Sequence, residues 1–193
     1  MAKVSSARED MLTAAVELFG ARGYDGVGVA ELLEKSGAPR GSLYFHFPGG
    51  KPQIGAEVVA RVGTEVAARF RALHESGVTL DQFIEQVFKT TAKESKERCY
   101  EASCPMAAIA TGFGSNDSKL AEAVRGAFES WEAEIRLAAE TRGMSAANAA
   151  IFASAMLTAM EGAMVISKAQ ASSMPHKSAS RAIQALATVL TPN

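Results

Sequence analysis

The chain has 193 residues, a formal net charge of -1, and 48% hydrophobic against 21% charged residues. This balance is that of an ordinary soluble globular protein, and it excludes intrinsic disorder. Because the whole chain is nearly neutral, any binding of nucleic acid must come from a local basic patch.

The signals for cellular location favour the cytoplasm. Two cysteines, Cys99 and Cys104, are too few for a disulfide framework and predict a reducing setting. Residues 1–10 lack the apolar segment of a signal peptide. The most apolar stretch, residues 146–171, carries Glu161 near its centre. We therefore expect it to be a buried helix of a soluble protein, with no membrane partner.

The apolar spacing of the N-terminal region predicts three helices and no strand. The first begins at Ser6, whose side chain and that of Glu9 form a capping box, and it ends between Gly20 and Gly23. The other two are short, with predicted ranges 29–36 and, after Pro39, 40–47. Two short helices joined by a glycine-containing turn after a longer helix form a helix-turn-helix unit.

The remaining chain is also predicted to be helical, which gives about nine helices in all. The predicted helices start at Lys51, Thr79, Met106, Asp117 or Ser118, Ser145 and Pro175. The break between the two predicted domains falls near residues 48–53. The sequence thus predicts an all-α fold with an N-terminal helix-turn-helix domain, residues 1–50, followed by a helical domain, residues 51–193.

Residues 35–56 form a local basic window, because they contain lysine, arginine and histidine but no acidic residue. In a helix-turn-helix unit the second short helix enters the major groove, and its neighbours contact phosphates. A solvated charged turn is the alternative. Six residues of this window are predicted to contact DNA, either through side chains that bind bases or phosphates or, at the glycine, through the backbone. They are Arg40, Gly41, Ser42, Tyr44, His46 and Lys51.

Residues 8–54 resemble the DNA-binding domain of TetR-family transcriptional regulators. The matching runs are Leu18–Tyr24, Val29–Leu32 and Gly37–Phe47, the last being close to the family's Gly-Val-Ser-Lys-Gly-Thr-Leu-Tyr-x-His-Phe pattern. The family often has threonine at the entrance of the second helix, where Val27 and Gly28 stand here. Three further stretches resemble the LmrA/YxaF-type branch of the family: residues 47–51, 103–110 and 128–131.

The resemblance implies a homodimer formed by the last two long helices, bound to a double-stranded, near-palindromic DNA operator. Small residues on the first of these helices allow close approach, and apolar residues on the second form a stripe. They are Ala155, Ala159, Gly162, Ala163 and Ser167, then Ile183, Leu186 and Leu190. Burial of these stripes within one subunit is the alternative.

The resemblance also implies a repressor that a small effector releases from its operator, with no enzymatic activity and no cofactor. An apolar or aromatic effector is expected from the residue types in the helices that would enclose it. Trp131 is the strongest candidate, because a buried indole N–H needs a partner, and ordinary core packing is the alternative for each residue. The predicted lining is Phe88, Met106, Phe113, Phe128, Trp131, Phe152, Met156 and Met160.

Three other functions fit parts of the sequence. The chain could be a dimeric DNA-binding regulator without an effector, which a filled core around Trp131 would favour. An all-helical enzyme or carrier would need converging titratable groups, and only Glu161 and Tyr100 are candidates. Redox sensing through Cys99 and Cys104 is the third. Their five-residue spacing does not match a zinc-binding pair, so no metal site is predicted.

Overall fold

A computed structural model describes residues 2–114 and 117–191, with side chains from residue 7 onward. Within these ranges all regular structure is helical, which confirms the predicted all-α fold of about nine helices. The helices are α1 (Ala2–Arg22), α2 (Val29–Ser36), α3 (Leu43–His46), α4 (Gly50–Glu75), α5 (Leu80–Glu97), α6 (Pro105–Gly112), α7 (Ser118–Glu140), α8 (Ala146–Gln170) and α9 (Met174–Leu190).

Helix α1 starts earlier than predicted. It begins at Ala2, upstream of Ser6, whose side chain lies outside the described part of the chain, so the predicted start at Ser6 is wrong. The Glu9 carboxylate pairs with Arg61 of α4. A tertiary ion pair therefore occupies the side chain that was expected to cap the helix.

Helix α3 is shorter than predicted. The segment from Pro39 to Ser42 forms a turn, in which the backbone N–H of Ser42 donates to the Pro39 carbonyl at 2.9 Å. The Ser42 hydroxyl donates to the same oxygen at 2.7 Å, which stabilises this turn. The α-helix therefore starts at Leu43, and the predicted range 40–47 is wrong at its N-terminal side.

The caps of the later helices follow their local sequence. Thr79 and Gln82 make both hydrogen bonds of a capping box at the start of α5. Ser145 accepts from the Asn148 backbone N–H at the start of α8. Before it, Gly143 adopts a φ of 89°, a conformation that favours glycine, and separates α7 from α8.

The described chain divides into two compact units. Unit 1 comprises the chain up to Val62 together with Cys104–Ala127, and unit 2 comprises Gly63–Ser103 together with the chain from Phe128. Unit 1 thus contains α1, α2, α3 and α6, and unit 2 contains α5, α8 and α9. Helices α4 and α7 each continue from one unit into the other. The functional division at residue 50 stays a prediction.

Helix α8 is long and apolar enough to cross a membrane, judged by length and composition alone, with a mean hydropathy of 1.7. Within unit 2 it packs against α9 and α5. Its inward face is formed by Phe152, Met156 and Met160, all of which are buried. This face is buried as expected, whereas Ile151, Val165 and Ile166 on the rest of the helix are exposed.

Candidate nucleic-acid interface

Two buried side chains anchor α3 in unit 1. Leu43 and Phe47, one helical turn apart, are fully buried, and each side chain contributes about 1.5–3 kcal/mol of burial free energy. The Arg8 guanidinium lies 5.0 Å from the centroid of the Phe47 ring and also pairs with Glu57 of α4. The anchored face fixes the orientation of α3, and its remaining side chains therefore face solvent.

The outward face of α3 carries two exposed aromatic side chains. Tyr44 is 64% exposed and Phe45 is 74% exposed. The His46 ring is half-buried and lies edge-on to Phe45, with 5.0 Å between the ring centroids. Two neighbouring exposed aromatic rings form an apolar patch, and such a patch is suited to contact with another molecule.

Phe45 is the residue of this surface that the sequence analysis missed. Positions 43 and 47 carry the buried face of α3, and position 45 falls between them on the opposite side of the helix. An aromatic residue opposite an anchored apolar pair is the signal that was available. Apolar side chains recognise the methyl group of thymine in the major groove.

The turn before α3 holds the exposed residues Arg40 and Gly41. Among the described residues, none forms an ion pair with Arg40. The other cations nearby are neutralised: Lys35 pairs with Glu17 at 2.9 Å, and Arg22 pairs with Glu31. Arg40 is therefore the guanidinium of this region that is available for an anionic or base-edge partner.

Lys51 lies in the first turn of α4, next to Gly50, whose φ is 61°. Its ammonium group lies 4.4 Å from the centroid of the Tyr24 ring, which holds the charge near the N-terminus of the helix. Burial raises the pKa of Tyr24 to about 12, with smaller contributions from the carboxylates of Asp117 and Asp25. The phenol thus stays neutral and provides a constant aromatic face for Lys51.

The predicted effector residues fall into both units. Met106 and Phe113 belong to unit 1, whereas Phe88, Phe128, Trp131, Phe152, Met156 and Met160 belong to unit 2. All are buried except Phe113 and Phe128, which are half-buried.

Trp131 lies in a packed aromatic cluster of unit 2. It is 1% exposed, and its indole N–H donates to the carbonyl of Gly63 at 2.8 Å. Phe128 and Phe70 flank it edge-on, with ring centroids at 5.3 Å and 6.4 Å. The indole thus has its hydrogen-bond partner within the protein and does not require a ligand.

Helices α8 and α9 share a groove of about 510 Å³, lined by small and apolar residues that include Ala159, Gly162 and Ala182. Large apolar side chains near this groove are exposed, with Ile166 at 48% and Met174 at 55%. Three residues predicted for the interface are buried, the first of them being Ala163 at 3% exposure. Ser167 is fully buried, with its hydroxyl bonded to the Ser172 carbonyl, and Ile183 is 5% exposed.

The two cysteines lie in different surroundings, and the acidic and histidine side chains show no metal cluster in the described residues. Cys99 is exposed and Cys104 is buried, and no disulfide joins them. They belong to different units, unit 2 and unit 1 respectively. Within residues 2–114 and 117–191, no group of three or more His, Cys, Asp or Glu side chains is placed to hold a metal ion.

The geometry of unit 1 defines a class of protein. Helix α2 is followed by a tight turn and then by the short, exposed helix α3. This order of elements is the helix-turn-helix arrangement of DNA-binding proteins. Comparison with known families identifies which one. Residues 11–58 match the family model "Bacterial regulatory proteins, tetR family". Residues 81–182 match "Transcriptional regulator LmrA/YxaF-like, C-terminal domain". The chain therefore belongs to the TetR family of DNA-binding transcriptional regulators, with an LmrA/YxaF-like C-terminal domain, as the sequence motifs predicted.

Individual proteins agree with this assignment. The chain is 28% identical to the HTH-type transcriptional regulator LmrA of Bacillus subtilis (strain 168), over 87% of this chain and 89% of LmrA. Two solved structures share its fold. A regulatory protein TetR from Rhodobacter sphaeroides gives a TM-score of 0.82 at 21% identity, covering 92% of this chain and 96% of that one. A TetR transcriptional regulator from Legionella pneumophila gives 0.83 at 17% identity, covering 91% and 94%.

The family assignment excludes the enzyme alternative. TetR-family proteins are transcription regulators, and the relatives and folds that match this chain are regulators too. The prediction that the chain is not an enzyme is therefore confirmed.

Proposed function

We propose that this protein is a cytoplasmic, ligand-responsive repressor that binds a near-palindromic operator as a homodimer. In this proposal residues 1–50 contact DNA, and residues 51–193 bind the effector and form the dimer. The observation that carries the proposal is the exposed outward face of α3, with Tyr44 at 64% exposure, together with the exposed Arg40 in the turn before this helix.

The proposed DNA contacts follow from the placement of the basic window. Arg40 approaches a guanine edge or a phosphate from the turn, and Gly41 allows the backbone to come close. The hydroxyls of Ser42 and Tyr44, together with the ring of His46, bond phosphates or bases. Lys51 pairs with a phosphate at the start of α4, where free backbone N–H groups also favour an anion.

The proposed dimer uses the groove between α8 and α9. A second copy seated there would cover the exposed side chains of Ile166 and Met174. The small residues Ala159 and Gly162 would let the paired helices approach closely. A twofold axis then places two α3 helices on half-sites related by one or more helical turns of DNA.

The proposed effector acts through α4. This helix runs from Gly50 to Glu75, so that Lys51 in its first turn and the carbonyl of Gly63 belong to the same helix. A ligand that favours a tilted α4 would change the spacing of the two α3 helices. It shifts this equilibrium only by its difference in affinity for the two states.

A regulator without an effector is the second candidate. The packing around Trp131 favours it, because the indole N–H is already bonded to Gly63 and the ring is enclosed by Phe128 and Phe70. In that case unit 2 would serve dimerisation alone.

The DNA proposal is tested by mobility shift with the DNA upstream of the protein's own gene. Arg40→Ala and Tyr44→Ala should abolish the shift while the circular dichroism spectrum stays unchanged. If Arg40 contacts a phosphate, its loss lowers the slope of log K against log salt by about 0.9 per subunit, measured at low salt where weak binding is still detected. Lys93→Ala removes an exposed cation of α5 and is the matched control. Unchanged binding in both α3-region variants would refute the assignment.

The effector proposal is tested by a compound screen that follows Trp131 fluorescence and operator release together. Compounds that change the fluorescence and also release DNA support the repressor. If no compound releases the operator while dimer and DNA binding are intact, the regulator without an effector is the better description.

A further inference from the structure

A second cleft lies within unit 2, between α5 and α9. It has a volume of about 440 Å³ and is open to solvent along one side. Its wall includes the cationic side chains Lys89, Lys177 and Arg181 and the carboxylate of Glu85. Positive charge therefore exceeds negative charge along a concave surface of a chain that is nearly neutral as a whole.

The charges of this cleft are unequally compensated. Lys89 and Glu85 form an ion pair at 2.8 Å within α5. Lys177 and Arg181 are exposed, and neither forms an ion pair with any residue in the described part of the chain. They stand one turn apart on α9, where like charges repel and destabilise a helix by a few tenths of a kcal/mol. An anion bound between them would remove this repulsion.

The floor of the cleft combines apolar and polar groups, most of them buried. Phe88 and Ala92 line it from α5, and His176 lines it from α9. His176 is 1% exposed, and its two ring nitrogens lie 3.1 Å from the Thr91 hydroxyl and 3.2 Å from the Ser95 hydroxyl. Because Thr91 also donates to backbone carbonyls, its oxygen accepts from Nδ1–H, and Nε2 accepts from Ser95. The imidazole is thus satisfied as a neutral group.

The cleft does not compete with the proposed dimer surface. The α9 residues that line it are turned away from Ser178, Ala179 and Ala182, which line the α8–α9 groove. At 100° per residue these two sets occupy different faces of the helix. Closing the groove with a second copy would therefore leave the α5–α9 cleft open.

We propose that the α5–α9 cleft binds a small amphipathic anion. Its phosphate or carboxylate pairs with Lys177 and Arg181, and its short apolar or aromatic body lies against Ala92 and the small exposed edge of Phe88. Phosphate and carboxylate are both negatively charged and accept hydrogen bonds from lysine and arginine side chains, so that the cleft can bind either group. The site needs neither DNA nor an intact dimer, so that its failure and the failure of the repressor proposal are distinguishable.

The test uses isothermal titration of the full chain, without DNA, with phenyl phosphate, benzoate, inorganic phosphate and benzylamine. Phenyl phosphate or benzoate should bind, inorganic phosphate should bind more weakly, and benzylamine should not bind. Lys177→Gln/Arg181→Gln should weaken the aromatic anions about tenfold, as expected for two surface ion pairs. Ala92→Phe should weaken them as strongly by filling the floor, and thermal unfolding checks that each variant folds.

Lys93→Gln/Lys96→Gln is the matched control, because it removes two cations from α5 that do not line the cleft. Its affinity for the aromatic anions should stay within about twofold, since distant surface charges are screened by salt. An equal loss in this control would show attraction by net charge and would overturn the proposal. Binding of benzylamine as tight as that of phenyl phosphate, or no binding of any anion at millimolar concentration, would also overturn it.

Discussion

Replacing the exposed aromatic ring of α3 should separate DNA affinity from stability. Phe45 is 74% exposed, so that only a quarter of its surface, about 50 Å², touches the protein. At about 25 cal/mol per Å², Phe45→Ala therefore costs the folded state only about 1 kcal/mol. If the ring contacts a thymine methyl group, each half-site loses about 1 kcal/mol, which lowers operator affinity roughly 30-fold in a dimer.

The assay is fluorescence anisotropy with operator duplexes that carry thymine or uracil at each position. Uracil lacks the methyl group, so that the wild-type protein should lose affinity where Phe45 makes its contact. The Phe45→Ala variant should show no such difference at that position. Because no charge is removed, its slope of log K against log salt should equal that of the wild type.

Two results would refute this reasoning. A loss of affinity with no dependence on the thymine methyl group would show that Phe45 acts by another contact. A change of more than about 2 kcal/mol in the free energy of unfolding would show that the ring is part of the folded core, since the buried area is too small for that effect.

Three further predictions concern the free energy of unfolding in urea. Trp131→Phe should cost about 1–3 kcal/mol, since it removes the indole N–H bond to α4, and no loss would contradict the packing described. Burial lowers the pKa of His176 from its ordinary value of about 6.5. As the pH falls, the unfolded chain therefore binds a proton at His176 more readily than the folded protein does, and the free energy of unfolding decreases below about pH 6.5. This decrease should be smaller in His176→Phe. Gly112→Ala should destabilise, because the added Cβ meets Tyr24 at 3.0 Å, whereas Gly126→Ala meets nothing within 4 Å and should stabilise by about 0.5–1 kcal/mol.

Local signals in the sequence were sufficient for most of the fold. The helix starts at Thr79 and Ser145 were predicted correctly, because the caps that define them involve only neighbouring residues. The start of α3 was wrong, because Pro39 suits both a first helical turn and a tight turn. A hydrogen bond from the Ser42 hydroxyl to the Pro39 carbonyl stabilises the tight turn.

Contacts between distant residues could not be predicted in the same way. The indole of Trp131 donates to a carbonyl 68 positions away in sequence. The two cations Lys177 and Arg181 line a cleft only because residues of α5 form its other side. Apolar periodicity shows which face of a helix is buried but not what it packs against. The sequence therefore predicted that Trp131 needs a partner, without predicting that the partner is Gly63.

The satisfied indole constrains any effector mechanism. A ligand shifts an equilibrium between two conformations only by its difference in affinity for them. A ligand that takes the place of these partners of Trp131 loses the hydrogen bond to Gly63, with a net contribution of about 1 kcal/mol, and the contacts of Phe128 and Phe70. An anion in the α5–α9 cleft faces no such cost, because Lys177 and Arg181 form no ion pair with any described residue. If aromatic anions release the operator and Lys177→Gln/Arg181→Gln prevents this release, the effector acts from the cleft and not from the aromatic cluster.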